Sequence, residues 1–115
     1  MGNPIVHWEL TGPDAKQLQR FYTTLFDWQI EPWRVGGESP DDYAVIKTGS
    51  VDGGICRSDR PSITFYVAVD DLQAALDKAE SMGGQTVTPP MPIPNVGAFA
   101  LFRDPAGNVV GLFNG

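Results

Sequence analysis

Three things are scarce in this chain: cysteine, histidine and long apolar runs. Cys56 is the only cysteine and cannot form an internal disulfide, so we expect a small, half-buried hydrophobe rather than a redox or nucleophilic group. His7 is the only histidine, and no Ser, His and Asp grouping suggests nucleophilic catalysis. No apolar run approaches the roughly 20 residues needed to cross a bilayer, and the start MGNPIVHWEL lacks the pattern of a signal peptide. These absences predict a cytoplasmic protein with no membrane partner.

Basic side chains are also scarce. The chain has 8 Lys and Arg against 14 Asp and Glu, and its formal net charge is −6. A surface of this sign repels phosphate backbones, so the composition argues against a nucleic-acid partner. With 115 residues, of which 42% are hydrophobic and 19% charged, the chain has an ordinary globular composition and is predicted to form a single domain spanning 1–115.

What the chain does contain is an internal repeat. Pro4–Trp28 has the pattern of a strand, a turn and a helix, and Ser62–Gly84 has the same pattern. The two strands correspond at an offset of about 57 residues, so Thr64 takes the position equivalent to His7. The repeat predicts two copies of one supersecondary unit, the modules, at about residues 4–57 and 62–113.

The first helix is predicted from an apolar stripe. Residues at i, i+3, i+4 and i+7 recur on one helix face, and we expect that face to pack against the sheet. The stripe consists of Leu18, Phe21, Tyr22 and Leu25. Thr11 or Gly12 is expected to cap this helix, with Pro13 in its first turn.

The second helix repeats the spacing of the first. Its stripe consists of Leu72, Ala75, Leu76 and Ala79. Asp70 is expected to cap its start, and Gly83 is expected to stop it, since glycine readily takes the left-handed conformation that ends helices.

Three short extended segments follow each helix. The last two of the second half are joined by DPAGN, a strong tight-turn signal. The Pro-rich stretch Thr88–Asn95 cannot be a central strand because each proline lacks a ladder donor, and we expect an ordered edge loop there. Each half is therefore βαβββ. The predicted class is α+β: two tandem βαβββ modules forming a curved, cup-like mixed sheet with helices on the outer face.

With these elements in place, the sequence resembles the vicinal oxygen chelate superfamily, which includes glyoxalases, bleomycin-resistance proteins and extradiol dioxygenases. The residues that carry the resemblance are IVHWEL with FYTTLFDW in the first half, and FYVAVDDL with FRDPAGNVVGLF in the second. The resemblance implies the same doubled βαβββ fold over essentially the whole chain. It also implies a homodimer, by analogy with other members.

In the metal-using members of that superfamily, His and Glu side chains from both modules hold one divalent cation. His7 matches one such position, whereas Thr64 and Gly111 stand where a histidine and a glutamate would be. The remaining position falls within Asp52–Ile55, where only Asp52 could ligate. A catalytic site needs about three protein ligands and an open position. Although a divalent metal is the family default, we therefore predict no family metal site and no cofactor, with His7 a pocket-wall or hydrogen-bonded histidine.

Strand alternation predicts which side chains share the concave face. That face is mostly apolar with a few polar groups, which is the profile of a small-molecule site. Trp8, on the opposite face of its strand, is expected to pack under a helix. At Gly111 two interpretations stay open: the missing side chain makes room for an organic ligand, or a bulky neighbour such as Phe99 or Tyr66 fills the space. The predicted pocket residues are His7, Glu9, Thr64, Tyr66, Phe99, Leu101, Arg103, Gly111 and Phe113.

Three functions are compatible with this pattern of residues. The favoured one is a small-molecule-binding, glyoxalase/bleomycin-resistance-like protein of unknown ligand without the family metal. The alternative is an enzyme of lyase, isomerase or dioxygenase type, using acid–base chemistry at His7 and Glu9 or a metal site rebuilt from Glu9, Asp52 or Cys56. The third is a regulatory or assembly module whose cup is filled by its own side chains.

Overall fold

The computed structural model describes residues 2–115. In chain order, its helices and strands are β1 (Ile5–Gly12), α1 (Ala15–Phe26), β2 (Gln29–Pro32), β3 (Ala44–Lys47), β4 (Gly53–Arg57), β5 (Ser62–Ala68), α2 (Leu72–Ser81), β6 (Gln85–Ile93), β7 (Gly97–Arg103) and β8 (Val109–Asn114). A short 3-10 turn, Pro40–Asp42, precedes β3. The predicted α+β class and the two tandem βαβββ copies are confirmed.

The chain divides into two compact units. The first unit is His7–Ile63, and the second is Thr64–Gly115 together with the described residues up to Val6. No helix in the described part of the chain is long and apolar enough to cross a membrane.

In the first unit the strands are hydrogen-bonded in the order β2-β3-β4-β1, with β1 parallel to β4 and the other pairs antiparallel. Its buried core consists of Leu10, Ala15, Ile46 and Ile55. Trp8 and Trp28 pack against this core, which confirms the prediction that Trp8 lies beneath a helix. Since side chains alternate along a strand, the burial of Trp8 and Leu10 turns their neighbours His7 and Glu9 to the opposite face of β1.

The second unit repeats the pattern. Its strands are ordered β5-β8-β7-β6, with β5 parallel to β8. Its core consists of Leu72, Leu76, Ala100 and Leu112. Both helices therefore cover one face of a four-stranded sheet, and in each unit the other face is left to the alternate set of side chains.

The start of α1 differs from the prediction. Thr11 and Gly12 still belong to β1, and the cap is Asp14, whose Oδ1 accepts a 3.0 Å hydrogen bond from the backbone N–H of Gln17. Pro13 stands before this cap and not in the first turn. The helix begins at Ala15, so the residue whose side chain reaches the free N–H groups of the first turn is Asp14 and not Thr11 or Gly12.

The start of α2 is shifted by one residue. The predicted cap at Asp70 is wrong, because Asp71 accepts from the backbone N–H of Ala74 at 3.0 Å. The backbone carbonyl of Asp70 instead accepts a 2.7 Å hydrogen bond from the side chain of Asn114. The predicted stop is confirmed, since Gly83 follows the helix end with φ +96°.

The Pro-rich stretch is a strand, not a loop. Most of Thr88–Asn95 belongs to β6, which lies at the end of the strand order and pairs only with β7. Exclusion from a central position is thus confirmed, but the predicted loop is wrong. Prolines are tolerated there because an edge strand needs backbone donors toward one neighbour only. The pairing register also shifts between Thr86 and Thr88 and again before Met91, which marks an irregular ladder at the Pro-rich stretch.

The apolar stripe of α1 is only half buried. Leu18 and Tyr22 pack against the core beside Ala15, whereas Phe21 and Leu25 are each 57% exposed. The buried face of the helix is therefore centred on Ala15, Leu18 and Tyr22. The row formed by Phe21 and Leu25 lies beside that face and is left without cover.

Candidate functional site

His7 is the centre of the polar face of the first unit. Its Nε2 lies 2.9 Å from the hydroxyl of Tyr43. Burial lowers the pKa of His7 below its ordinary 6.5, while a hydrogen bond to the backbone of Asp52 and the charge of Asp52 act in the opposite direction. The neutral ring therefore donates to the Asp52 carbonyl and accepts at Nε2 from the Tyr43 hydroxyl.

Two adjacent glycines make this arrangement possible. A Cβ on Gly54 would overlap the ring and hydroxyl of Tyr43, and a Cβ on Gly53 would overlap the indole of Trp8. The two rings thus occupy the space that side chains would take at these two positions of β4, one on each face of the sheet. Trp33 contacts the Tyr43 ring edge-on at a centroid distance of 5.7 Å, an arrangement that aromatic pairs favour.

Glu9 faces the same side as His7 and pairs in register with Gly54. Its charge acts on Cys56, which lies two residues further along β4. Burial, followed by the charges of Glu9 and Asp41, raises the pKa of the Cys56 thiol to about 12. The thiol is therefore protonated near neutral pH, in keeping with its predicted role as a small, half-buried hydrophobe.

The second unit brings most of its predicted pocket residues together. Thr64 lies on β5 two residues before Tyr66 and so shares its face. Five of the predicted residues lie on three neighbouring strands in matching register: Tyr66 with Gly111, Gly111 with Leu101, and Phe99 with Phe113.

The space that a side chain would take at Gly111 is filled by a neighbouring ring. A Cβ there would overlap the ring of Tyr66, which is only 8% exposed. Of the two interpretations left open by the sequence, the structure supports filling by a neighbour, and the neighbour is Tyr66. The same relationship holds in the first unit between Gly54 and Tyr43.

The structure places Arg103 differently from the other predicted pocket residues. It is exposed at the end of β7, and its guanidinium donates to the backbone carbonyl of Gly107 at 3.2 Å. This contact ties Arg103 to the DPAGN turn, where Asp104 also accepts hydrogen bonds from Ala106 and Asn108.

Tyr43 was not predicted from the sequence. A signal for it was present in the repeat, since Gly54 and Gly111 are separated by 111 − 54 = 57 residues, the same offset that relates His7 to Thr64. By this offset, the residue of the first copy that is equivalent to Gly111 is Gly54, which lies within the range Asp52–Ile55 implied by the resemblance. In both copies the glycine at this position is covered by a tyrosine ring.

The donor set at these positions does not match a divalent cation site. His7 supplies an imidazole, Thr64 a hydroxyl, and Gly54 and Gly111 nothing, which falls short of about three protein ligands. Within residues 2–115 there is no group of three or more His, Cys, Asp and Glu that could hold a metal ion.

The doubled βαβββ architecture, with a parallel first and last strand in each copy, defines the class of protein. It is the fold of the glyoxalase, bleomycin-resistance and dioxygenase proteins, the vicinal oxygen chelate superfamily, as the sequence motifs indicated. A superfamily member from Vibrio splendidus 12B01 matches with a TM-score of 0.69 at 13% identity, over 99% of this chain and 100% of that chain, which is a likeness of fold. The family model of the glyoxalase-like domain matches residues 9–113, and the chain belongs to that family.

Two curated relatives are similar in sequence. "Putative glyoxylase CFP32" of Mycobacterium bovis is 30% identical over 112 residues, covering 91% of this chain and 43% of that protein. "Anthracycline biosynthesis protein DnrV" of Streptomyces peucetius is 31% identical over 116 residues, covering 86% and 42%. The chain thus spans less than half the length of these relatives.

Proposed function

We propose that this protein binds a small organic molecule and does so without the divalent metal used by other members of its superfamily. The observation that carries the proposal is the pair of glycines at equivalent last-strand positions, each covered by a tyrosine ring: Gly54 by Tyr43 and Gly111 by Tyr66. At the positions where a metal-using member would have a side chain that binds the metal, this chain has a glycine covered by a tyrosine ring.

The state of His7 supports the same proposal. A metal-bound histidine must offer a free lone pair to the cation. In this chain Nε2 is engaged by the Tyr43 hydroxyl, and the ring interacts with the backbone of Asp52. Metal binding at His7 would have to break the contact with Tyr43, and the equivalent position in the other copy, Thr64, carries only a hydroxyl.

The side chains around His7 in the first unit, and around Gly111 in the second unit, favour an organic ligand. Oriented polar groups are few, with Glu9 and Tyr43 on the face of the first unit. This balance is typical of small-molecule sites. The name of one relative, an anthracycline biosynthesis protein, is in keeping with an organic ligand. Apolar surface comes from aromatic and aliphatic side chains, namely Trp33 in the first unit and Tyr66, Phe99, Leu101 and Phe113 in the second.

Elemental analysis tests the absence of a metal. Protein purified without chelator, then incubated with Zn, Mn, Ni or Fe salts and desalted, is expected to retain well below one ion per chain. His7→Ala serves as the comparison, since any retained ion bound at His7 would be lost from it. Near-stoichiometric metal that disappears in His7→Ala would overturn the proposal.

Ligand binding is tested by a thermal-shift screen of small organic compounds, with affinities then measured by calorimetry. Tyr43→Ala is expected to weaken binding of a hit on the face of the first unit, and Tyr66→Ala binding of a hit on the face of the second unit, each by at least about tenfold, as removal of a central aromatic contact does. Met82→Ala is the matched control, because Met82 is 68% exposed at the end of α2. Equal affinities in all three variants would contradict a site on these faces.

A second function, acid–base catalysis, is favoured by one observation: the hydroxyl of Tyr43 and Nε2 of His7 lie 2.9 Å apart. A neutral imidazole can take a proton from that hydroxyl, so the pair could move a proton at a carbon next to a carbonyl group. Deuterium exchange into candidate carbonyl compounds, followed by NMR, measures this. His7→Ala would abolish exchange with the fold intact if the pair is catalytic, whereas a binding protein shows only a graded change in affinity.

A further inference from the structure

The turn between β3 and β4, residues 48–52, is held from both faces of the sheet by two consecutive residues of β1. The indole N–H of Trp8 donates to the backbone carbonyl of Val51 at 2.9 Å. The register of β1 with β4 sets His7 beside Asp52, and the ring of His7 makes its backbone hydrogen bond there. Because side chains alternate along a strand, the two contacts reach the turn from opposite faces.

Further contacts within the turn keep its shape. The hydroxyl of Thr48 donates to the same carbonyl of Val51 at 3.1 Å. The carboxylate of Asp52 accepts from the Lys47 ammonium at 3.3 Å and from the Thr48 backbone N–H at 3.4 Å. The ion pair is exposed to water, where such pairs contribute little, whereas Trp8 packs against the buried core of the unit. The indole is therefore the contact that ties the turn to the interior.

The position of the Asp52 carbonyl decides where the neutral ring of His7 carries its proton. A neutral imidazole has one N–H and one bare nitrogen, and the hydrogen bond at one nitrogen sets the state of the other. The Nε2 atom lies 2.9 Å from the hydroxyl of Tyr43, and a hydroxyl can either donate or accept. A carbonyl can only accept, so it is the Asp52 carbonyl that selects the ring with its proton on Nδ1.

The same choice fixes the direction of the hydrogen bond between His7 and Tyr43. When Nε2 is bare, the Tyr43 hydroxyl donates its one proton to the ring, and its oxygen acts as an acceptor toward the polar face. With the proton on Nε2, the hydroxyl would accept from the ring and donate toward a ligand. The carboxylate of Glu9, on the same side as His7, is likewise an acceptor. The face around His7 therefore presents hydrogen-bond acceptors.

We propose that Trp8 is a positioning residue for the site around His7: its indole N–H, acting through the turn, sets the Nδ1–H form of the ring and makes Tyr43 an acceptor for ligands with an N–H or O–H donor. The ligand class rests on the proposed function, whereas the state of the ring requires no ligand. Trp8 lies on the opposite face of β1 from His7 and acts on the site only through the turn.

Nitrogen NMR at pH 8 tests the state of the ring, since His7 gives the only imidazole signals of the chain. In the wild type the proton is expected on Nδ1 and Nε2 is expected to be bare. Long-range couplings to the ring C–H protons distinguish the two nitrogens. This measurement needs no variant, and a wild-type ring protonated on Nε2 would overturn the proposal.

Trp8→Phe removes the indole N–H and keeps an aromatic ring beside Gly53. The ratio of the Nδ1–H form to the Nε2–H form of His7 is expected to fall at least about fivefold, the effect of one hydrogen bond. Trp28→Phe is the matched control, because it makes the same change in a ring that contacts Trp8 at 5.4 Å and packs against the same core. Urea unfolding verifies that both variants fold. An unchanged ratio in Trp8→Phe, or an equal fall in both variants, would show that the indole N–H does not position His7.

Phenol and anisole serve as probes of the ligand class, because they share one ring and only phenol carries an O–H donor. Phenol is expected to bind the wild type about fivefold more tightly than anisole, measured from the shifts of the His7 signals. This preference should vanish in Trp8→Phe and persist in Trp28→Phe. Equal binding of the two probes, or binding of neither, would overturn the ligand class. Failure of the proposed function is distinguishable, since the state of the ring is measured without a ligand and metal retention is measured separately.

Discussion

The hydroxyl of Tyr43 lies 2.9 Å from Nε2 of His7, so the only histidine of the chain shares a hydrogen bond with a tyrosine 36 residues away. Gly54 makes this contact possible, because its missing side chain leaves room for the Tyr43 ring across β4. The hydrogen bond between Tyr43 and His7 therefore depends on a glycine, Gly54, which has no functional group of its own.

The pKa of His7 is expected to lie below 6.5, because burial disfavours the charged ring. Proton NMR measures it without ambiguity, since no other histidine contributes a signal. Asp52→Asn should lower the pKa of His7 further, because the charge of Asp52 raises it in the wild type. A wild-type midpoint at or above 6.5 would contradict the geometry described for His7.

A pH dependence of stability follows from the same lowered pKa. As the pH falls below 6.5, His7 of the unfolded chain binds a proton, whereas His7 of the folded chain binds one only at a lower pH. The contribution of neutral His7 to the free energy of unfolding is therefore complete above pH 6.5 and is lost as the pH falls through the lowered pKa of the folded chain. Urea unfolding of wild type and His7→Gln at pH 7.5 and pH 5 checks the sign. The wild type should lose more stability than the variant on acidification.

Alanine at either covered glycine is expected to destabilise the fold. Gly54→Ala and Gly111→Ala force the rings of Tyr43 and Tyr66 out of place, and over-packing of this kind costs about 1–3 kcal/mol in the free energy of unfolding, measured by urea denaturation. Gly2→Ala is the control, since nothing lies within 4 Å of a Cβ there.

A double-mutant cycle assigns that cost to the ring. In a Tyr43→Ala background, Gly54→Ala should cost clearly less than it does in the wild type, because the overlapping group is gone. An unchanged cost would mean that the alanine acts on the β4 backbone and not through Tyr43.

Cys56 is expected to react slowly with thiol reagents. A pKa raised from 9.0 to about 12 leaves little thiolate, so alkylation of the folded protein at pH 8 should be at least about a hundredfold slower than alkylation in urea. Glu9→Gln should speed the reaction of the folded protein, because the charge of Glu9 contributes to the raised pKa. Equal rates in folded and unfolded protein would argue against a protected thiol.

Alanine substitutions at the two adjacent aspartates before α2 should differ sharply in their effect on the free energy of unfolding. Asp71→Ala removes the cap on the Ala74 N–H and is expected to cost about 1 kcal/mol, whereas Asp70→Ala should cost little, since its backbone carbonyl makes the contact with Asn114. Thermal or urea unfolding of both variants measures the difference. A larger loss of stability in Asp70→Ala than in Asp71→Ala would instead support Asp70 as the cap, as predicted from the sequence.

Prediction from the sequence succeeds for the elements of the fold. The internal repeat and the spacing of apolar residues were enough to predict the βαβββ elements of both copies, because strand and helix periods are local properties of the chain. The same spacing could not decide which part of the α1 stripe is buried. Phe21 and Tyr22 both belong to that stripe, and it is the docking of Ala15, Leu18 and Tyr22 on the sheet that leaves Phe21 exposed.

For the candidate site, the resemblance to the superfamily predicts which ligand positions have lost their donors, since Thr64 and Gly111 stand where a histidine and a glutamate would be. What stands there instead is a property of the folded chain. Tyr66 reaches Gly111 from the neighbouring strand β5, and Tyr43 reaches Gly54 from the position just before β3. Such contacts depend on strand order and register, which no local pattern specifies.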